Sequence, residues 1–364
     1  METLGILVLV SLSLSLPGVF LVLRKMCMTA DAMSHTVLLG IVLAFLIIHD
    51  IESPLLTIAA ALAGLFTVLA IEGLIQGNKL RKDAAIGVVY SFLFAVAVLL
   101  ITKFARNSHL SVEMILMGEV LYASLRRITF LGINMPKAVL DMLILFVLNA
   151  GFISLFYKEL KLTSFDETYS KVSGFGNPLL NLGLMALVSL SCVVAFDSVG
   201  SILVLAFFTC PVVCAFLIAR NLKEMFLYSA IFAALMSSLG YFIAVFYNVS
   251  LAGMCATCGG ILVLIVALCG PKGIIVHNLQ RKRLAREQKM LSLLDHIGNH
   301  QKSSDEIKEL RLITMHAHLD WDEDEVLEYL RMLEKRGLVE QSLNDYGCPF
   351  LTEKGKKLYQ SRLN

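Results

Sequence analysis

The 364-residue chain is 57% hydrophobic and only 16% charged, whereas an ordinary soluble domain carries about 25% charged residues. Its formal net charge of +2 is too small to mark the whole molecule as a partner of nucleic acid or another acidic polymer. Of the cysteines, Cys27, Cys192, Cys210, Cys214, Cys255, Cys258 and Cys269 lie in or beside apolar runs and only Cys348 lies in a polar stretch; this argues against a disulfide framework and for small buried side chains.

Apolar residues fill 1–270 and nearly vanish afterwards. This predicts a transmembrane domain over 1–270, a basic linker helix over 271–289 and a soluble domain over 290–364. Backbone amides cannot stay unpaired in hydrocarbon, so each run of about 20 apolar residues must form a helix. The runs fall at 4–23, 27–48, 54–76, 84–102, 138–157, 178–195, 197–218, 226–247 and 251–270. A shorter stretch at 113–125, interrupted by Gly118 and Glu119, reads as a re-entrant or interfacial helix. The first run follows Met1-Glu2-Thr3 and precedes Arg24-Lys25; without a positive leading segment it reads as a retained span rather than a secretory signal. The positive-inside rule puts Arg24-Lys25, residues 78–82, the Lys158 to Lys171 loop, the Arg220 to Lys223 turn and Arg281-Lys282-Arg283 in the cytoplasm. Those five alternate correctly if 113–125 does not span. Connections at 49–53, Asp197-Ser198 and 248–250 carry no Lys or Arg and read as outside loops; the outer stretch 103–137, with Lys103, Arg106, Arg126, Arg127 and Lys137, is the exception to this pattern.

Asp31 and His35 sit just inside the second run, in Met28-Thr29-Ala30-Asp31-Ala32-Met33-Ser34-His35. Ionisable side chains at membrane depth are costly and point to function. Four residues apart on a helix, they share one face, and carboxylate plus imidazole suits Zn(II), Mn(II) or Fe(II). The alternative is a hydrogen-bonded Asp–His pair that ties helices together.

The segment Asp31-Ala32-Met33-Ser34-His35, followed by Gly40, resembles the D-A-x-S-H signature of the ABC-3 family, the membrane subunits of bacterial manganese, zinc and iron ABC importers. Asp83-Ala84-Ala85-Ile86-Gly87, the loop from Lys158 through Phe165-Asp166 to Tyr169, Val199-Gly200-Ser201 with Cys210-Pro211-Val212-Val213-Cys214-Ala215, and Ser238-Leu239-Gly240-Tyr241 with Leu251-Ala252-Gly253 follow the family's order. Val212, Val213 and Cys214 stand where the family has small Ala and Thr. The resemblance implies a permease that moves a divalent transition metal through a dimeric pathway, with Asp31 and His35 as the metal site. It also implies three kinds of partner: a separate ATP-binding cassette ATPase, a periplasmic metal-binding protein, and a second permease, identical or paired. Phe165, Asp166, Arg220, Asn221 and Leu222 are the candidate ATPase contacts by the same resemblance, the Arg220 turn being short and rigid; that turn reads equally as a plain positive-inside anchor. No permanently bound cofactor is expected. The location implied is the bacterial cytoplasmic (inner) membrane, with the C-terminal tail in the cytoplasm.

No G-x-x-x-x-G-K-[ST] phosphate cradle is present, so ATP hydrolysis is expected from a separate subunit, and the chain reads as a transport permease rather than an enzyme. Ala60 with Gly64, and Gly73 with Gly77, have the spacing that lets helices approach closely in lipid. Cys210 with Cys214 and Cys255 with Cys258 lack a second ligand pair and read as packing, as do Met26, Met28 and Met33 around Asp31.

Beyond Gly270-Pro271 the composition turns polar. A basic stretch over 280–289 could lie at the lipid surface. Helices are expected at 291–297, 304–312 and 322–336, then a hairpin over 346–351 and a last helical turn, with Val326, Leu327, Leu330, Leu333, Leu338, Val339 and Leu351 as the core. Gly337-Leu338-Val339-Glu340 and Leu351-Thr352-Glu353-Lys354-Gly355 resemble a winged helix of metal-dependent repressors. The would-be recognition helix opens on Asp320-Trp321-Asp322-Glu323-Asp324-Glu325, which repels phosphate, so a protein-binding or regulatory role is favoured over DNA binding. His296, His300, His316 and His318 could sense metal but read as solvated. The expected class is therefore an all-α polytopic membrane protein of about nine transmembrane helices with a small α+β winged-helix-like cytoplasmic domain. The competing functions are an ion-coupled secondary metal transporter and a membrane-tethered, metal-responsive regulator.

Overall fold

The structure is a computed structural model that describes residues 2–49, 53–76, 81–104, 127–130, 133–173, 178–271, 273–301, 310, 315, 319–341 and 348–363. The chain divides into two compact units, Met1–Gly273 and Ile274–Asn364.

The first unit is a helical bundle built from α1 (Glu2–Leu23), α2 (Cys27–Ile48), α3 (Pro54–Gln76) and α4 (Lys82–Phe104), followed by the hairpin β1 (Arg127–Phe130) and β2 (Ile133–Pro136), then α5 (Lys137–Leu155). Two short helices, α6 (Tyr157–Phe165) and α7 (Glu167–Val172), lead to α8 (Pro178–Val199), α9 (Ser201–Ile218), α10 (Leu222–Tyr247) and α11 (Leu251–Cys269). Among the described residues, nine helices are long and apolar enough to cross a membrane. The segment expected to be re-entrant, 113–125, lies outside the described residues. The strands that follow it pair antiparallel, Arg127 opposite Pro136, and the Arg127 guanidinium donates to both carboxylate oxygens of Glu2, at 3.1 and 2.8 Å.

One expected loop moves. Asp197-Ser198 is helical, and the chain turns instead at Gly200, whose φ of 80° is open to glycine at no steric cost. Its N–H still bonds the Phe196 carbonyl at 3.1 Å. Likewise α10 starts at Leu222 rather than near 226, because Asn221 caps it. The Asn221 side chain accepts from the Glu224 N–H at 2.9 Å, and the Glu224 carboxylate takes the Asn221 amide at 2.7 Å and the Arg220 N–H at 3.0 Å, a variant of the reciprocal capping box.

Close approaches set the packing around α1 and α2. A Cβ on Gly18 would stand 2.6 Å from the Phe208 carbonyl of α9, and one on Gly40 would meet the backbone of Ala59 and Ala60. Thr67 of α3 donates to Thr36 of α2 at 2.7 Å. Gly64 lies against Ser189 of α8, whereas among the described residues nothing stands within 4 Å of a Cβ on Gly73. Cys255 packs on Gly240. Proline at position 17 has no N–H to give the Ser13 carbonyl one turn back. Fully buried Asn149 of α5 supplies the donor, at 3.2 Å, and also donates to Ser191 of α8 at 3.1 Å.

The second unit begins with α12 (Ile274–His300) and continues with α13 (Glu323–Lys335), β3 (Val339–Gln341), β4 (Pro349–Leu351) and α14 (Glu353–Leu363). The expected linker helix and the helix expected at 291–297 are one continuous helix, and the helix expected at 304–312 falls largely outside the described residues. Met290, Leu293, Leu294, Ile297, Val326, Leu330, Leu333, Leu338, Val339 and Leu351 form the core. Leu327, expected there, is only half-buried, since the helical rotation sets it beside the core rather than over it. Gly337, at φ 65°, ends α13 with its N–H on the Glu334 carbonyl at 2.8 Å and the Leu338 N–H on the Leu333 carbonyl at 3.0 Å, a Schellman closure. Lys289 bonds Glu325, which raises its pKa above the ordinary lysine value, and its ammonium stands 5.2 Å from the centre of the Trp321 ring.

Candidate metal path and contacts at one end of the bundle

Asp31 and His35 both lie on α2, one turn apart, with Oδ1 and Nε2 separated by 3.6 Å. That is longer than a hydrogen bond and within ion-pair distance. It is a separation that one ion can bridge, since zinc bonds to nitrogen or oxygen run about 2.0–2.2 Å. The side chains of Asp31 and His35 are 42% and 35% exposed, although the residues between them, Ala32, Met33 and Ser34, are buried. Met28, on the same face, is 56% exposed. Further along that face Leu39 and Val42 are buried in a cluster with Ile86, Val89 and Leu93 of α4. The face is therefore open at the start of α2 and sealed by α4 deeper in.

Two aromatic rings of α4 fix the imidazole. Tyr90 stacks on His35 with ring centres 5.8 Å apart, and Phe94 meets it edge-on at 5.5 Å. The ring so held turns its Nε2 toward the Asp31 carboxylate. Among the described residues no third His, Cys, Asp or Glu joins the pair. Ser34 turns back on its own helix, donating to the Ala30 carbonyl at 2.9 Å.

At one end of the bundle, residues distant in sequence converge on Arg24, which follows α1. Its guanidinium donates to Ser164 at 3.0 Å, to Thr163 at 2.9 Å and to Asn181 of α8. Asn181 in turn donates to Glu72 of α3 at 2.9 Å. Next to this network, Phe165 is 62% exposed and Asp166 caps α7 by accepting the Tyr169 N–H at 2.8 Å. In the turn before α10, Arg220 and Asn221 are exposed, while Leu222 is 4% exposed and packs with Phe20, Leu160 and Met225. Leu222 thus fixes the turn from inside and offers no surface. Glu72, Tyr90, Phe94 and Asn181 were not singled out from the sequence. Glu72, an acid inside an apolar run, carried the same signal that marked Asp31.

Comparison with known proteins adds a family and relatives. Residues 2–270 match the ABC 3 transport family. The chain is 34% identical over 366 residues to the zinc transport system membrane protein TroD of Treponema pallidum, covering 100% of this chain and 99% of that one. It is 39% identical over 283 residues to the manganese transport system membrane protein MntD of Bacillus subtilis, covering 77% of this chain and 96% of that one. Among solved structures, PsaBC from Streptococcus pneumoniae in complex with Fab superposes with a TM-score of 0.62 at 30% identity, over 77% of this chain and 94% of the other.

Proposed function

The chain belongs to the ABC 3 transport family, and from that premise we propose that it conducts a divalent transition metal, manganese, zinc or iron, past Asp31 and His35. It is the membrane permease subunit of an ABC importer, a transporter whose ATP is hydrolysed by a separate subunit. The observation that carries the metal path is the open stretch of α2, where two ligand atoms 3.6 Å apart stand half-exposed in an otherwise apolar helix. Charged or polar side chains are left at membrane depth only where they face a cavity or partner. Two ligands are too few to trap an ion that prefers four or more, which suits passage. Water or a second permease, identical or paired, completes the shell. The relatives' names favour zinc and manganese as cargo.

Arg220 and Asn221, on their rigid capped turn, and exposed Phe165 are the surfaces proposed to meet the ATPase. A binding protein on the far side delivers the metal, and the membrane is the bacterial inner membrane. The second unit, aligned along its length with TroD, is a winged-helix-like regulatory domain whose acidic α13 disfavours DNA.

The test is metal uptake into vesicles holding this chain with its ATPase and binding protein. Asp31→Ala and His35→Ala should each reduce uptake to background at equal membrane abundance, with ATP required throughout. Normal uptake by either variant would remove the metal path, and uptake driven by an ion gradient without nucleotide would favour a secondary transporter.

A further inference from the structure

The outward face of α13 carries Asp324, Glu328, Arg331 and Lys335, all exposed. Their spacing of four, three and four residues keeps them within about 60° of the helix circumference at 100° per residue. Read from the N-terminus, the stripe is acid, acid, base, base. Its two halves are mirror opposites about the midpoint between Tyr329 and Leu330: Asp324 and Lys335 are equally far from it, and so are Glu328 and Arg331. Among the described residues none of the four makes an ion pair or a side-chain hydrogen bond. Off the stripe, Glu325 is held by Lys289, Arg336 just after the helix lies 3.9 Å from Glu287, and Glu323 and Glu334 are exposed on another side of the helix. Half-buried Leu327 and Met332 border the stripe, one on each edge.

A stripe of this kind has one natural complement. When a helix is turned end for end about a two-fold axis, its acidic half meets the basic half of an identical helix, and every pair formed occurs twice. A nucleic acid would meet the acidic half with repulsion, and a uniformly charged protein face would satisfy only one half. We propose that α13 is a self-association surface, on which the second units of two copies of this chain pair through antiparallel α13 helices. Asp324 then faces Lys335, Glu328 faces Arg331, and Leu327 and Met332 close the edges.

Exposed ion pairs contribute little singly, so the contact is weak between free chains. Two copies held in one membrane assembly raise the effective concentration to the millimolar range, where a weak contact is occupied. The interface lies in the second unit and its geometry owes nothing to Asp31 or His35.

The measurement uses the full-length chain in lipid nanodiscs, made as an equal mixture of unlabelled and nitrogen-15-labelled protein. A water-soluble carbodiimide joins a carboxylate to an amine only where the two already touch, and mass spectrometry of the mixed-isotope products identifies links between chains. The expected result is an interchain amide between Asp324 and Lys335. Glu328→Arg should reduce its yield about tenfold, equivalent to about 1.4 kcal/mol, and Glu328→Arg with Arg331→Glu should restore it. A chain that is dimeric by mass yet gives no Asp324–Lys335 link would overturn the surface and leave the paired permease standing. A chain that is monomeric would overturn both. Links from Asp324 to another protein, or a double variant that fails to recover, would likewise overturn it.

Discussion

Asn181 serves two ionisable side chains at once, accepting from Arg24 and donating to Glu72. A leucine there would leave a carboxylate and a guanidinium each short of a partner in a partly buried site. Bonds to charged groups are worth about 1.5–3 kcal/mol, so Asn181→Leu should lower stability by about that much. Glu72→Gln, which keeps an oxygen to accept from Asn181, should cost less. Thermal denaturation of the two variants in the same detergent checks the order, and an equal loss would show that the carboxylate charge rather than the amide bridge matters. At this scale Asp31 and His35 were legible because a charge stands out in an apolar run. Tyr90 and Phe94 were not, because the rotation of α4 selects which of its aromatic rings meets His35, and that rotation is set by packing against α2. Leu327 was assigned to the core because helical spacing brings it near the buried row; the row itself is Val326, Tyr329, Leu330 and Leu333.

Among the elements, the apolar runs carried nearly all the helix boundaries, since lipid leaves the backbone no alternative partner. The exceptions have local causes. A glycine in the left-handed region moved the turn to Gly200, and a cap at Asn221 extended α10 by about one turn. Contact between helices was less legible, because small residues at the right spacing are found both at interfaces and facing lipid. Gly40 and Gly73 separate the two cases. Gly40→Ala should push α2 from α3 and cost about 1–3 kcal/mol by overpacking, with loss of uptake because Asp31 and His35 ride on α2. Gly73→Ala fills open space and should be neutral or stabilising by up to about 1 kcal/mol through helix propensity. Denaturation midpoints of both variants, with uptake measured beside them, decide it; an equal loss would mean that Gly73 packs against a second chain.

Taken as one molecule, the membrane unit gathers Arg24, Glu72, Thr163, Ser164 and the capped turn before α10 toward one end, while Glu2 and Arg127 meet elsewhere. These are connections that alternating spans must bring together, so the order of basic loops along the sequence already contained this arrangement. The stretch before β1 broke the pattern of charges, and its hairpin was not foreseen: four-residue strands leave too short a signal beside runs of 20. The bond from Asn149 to the Ser13 carbonyl carries a consequence for how such a sequence can drift. Asn149 is needed on α5 because of a proline on α1, so the two positions form a lock and its key. Asn149→Leu should be damaging beside Pro17 but far milder beside Pro17→Ala, whose own N–H reaches Ser13, and a double-mutant cycle should return a coupling of about 0.5–3 kcal/mol. Additive losses would show that Ser191 is the partner that matters. A lineage that sheds the proline is thereby released from keeping the asparagine, whereas one that sheds the asparagine first must cross a valley in fitness, so descendants should lose the pair in one order far more often than in the other.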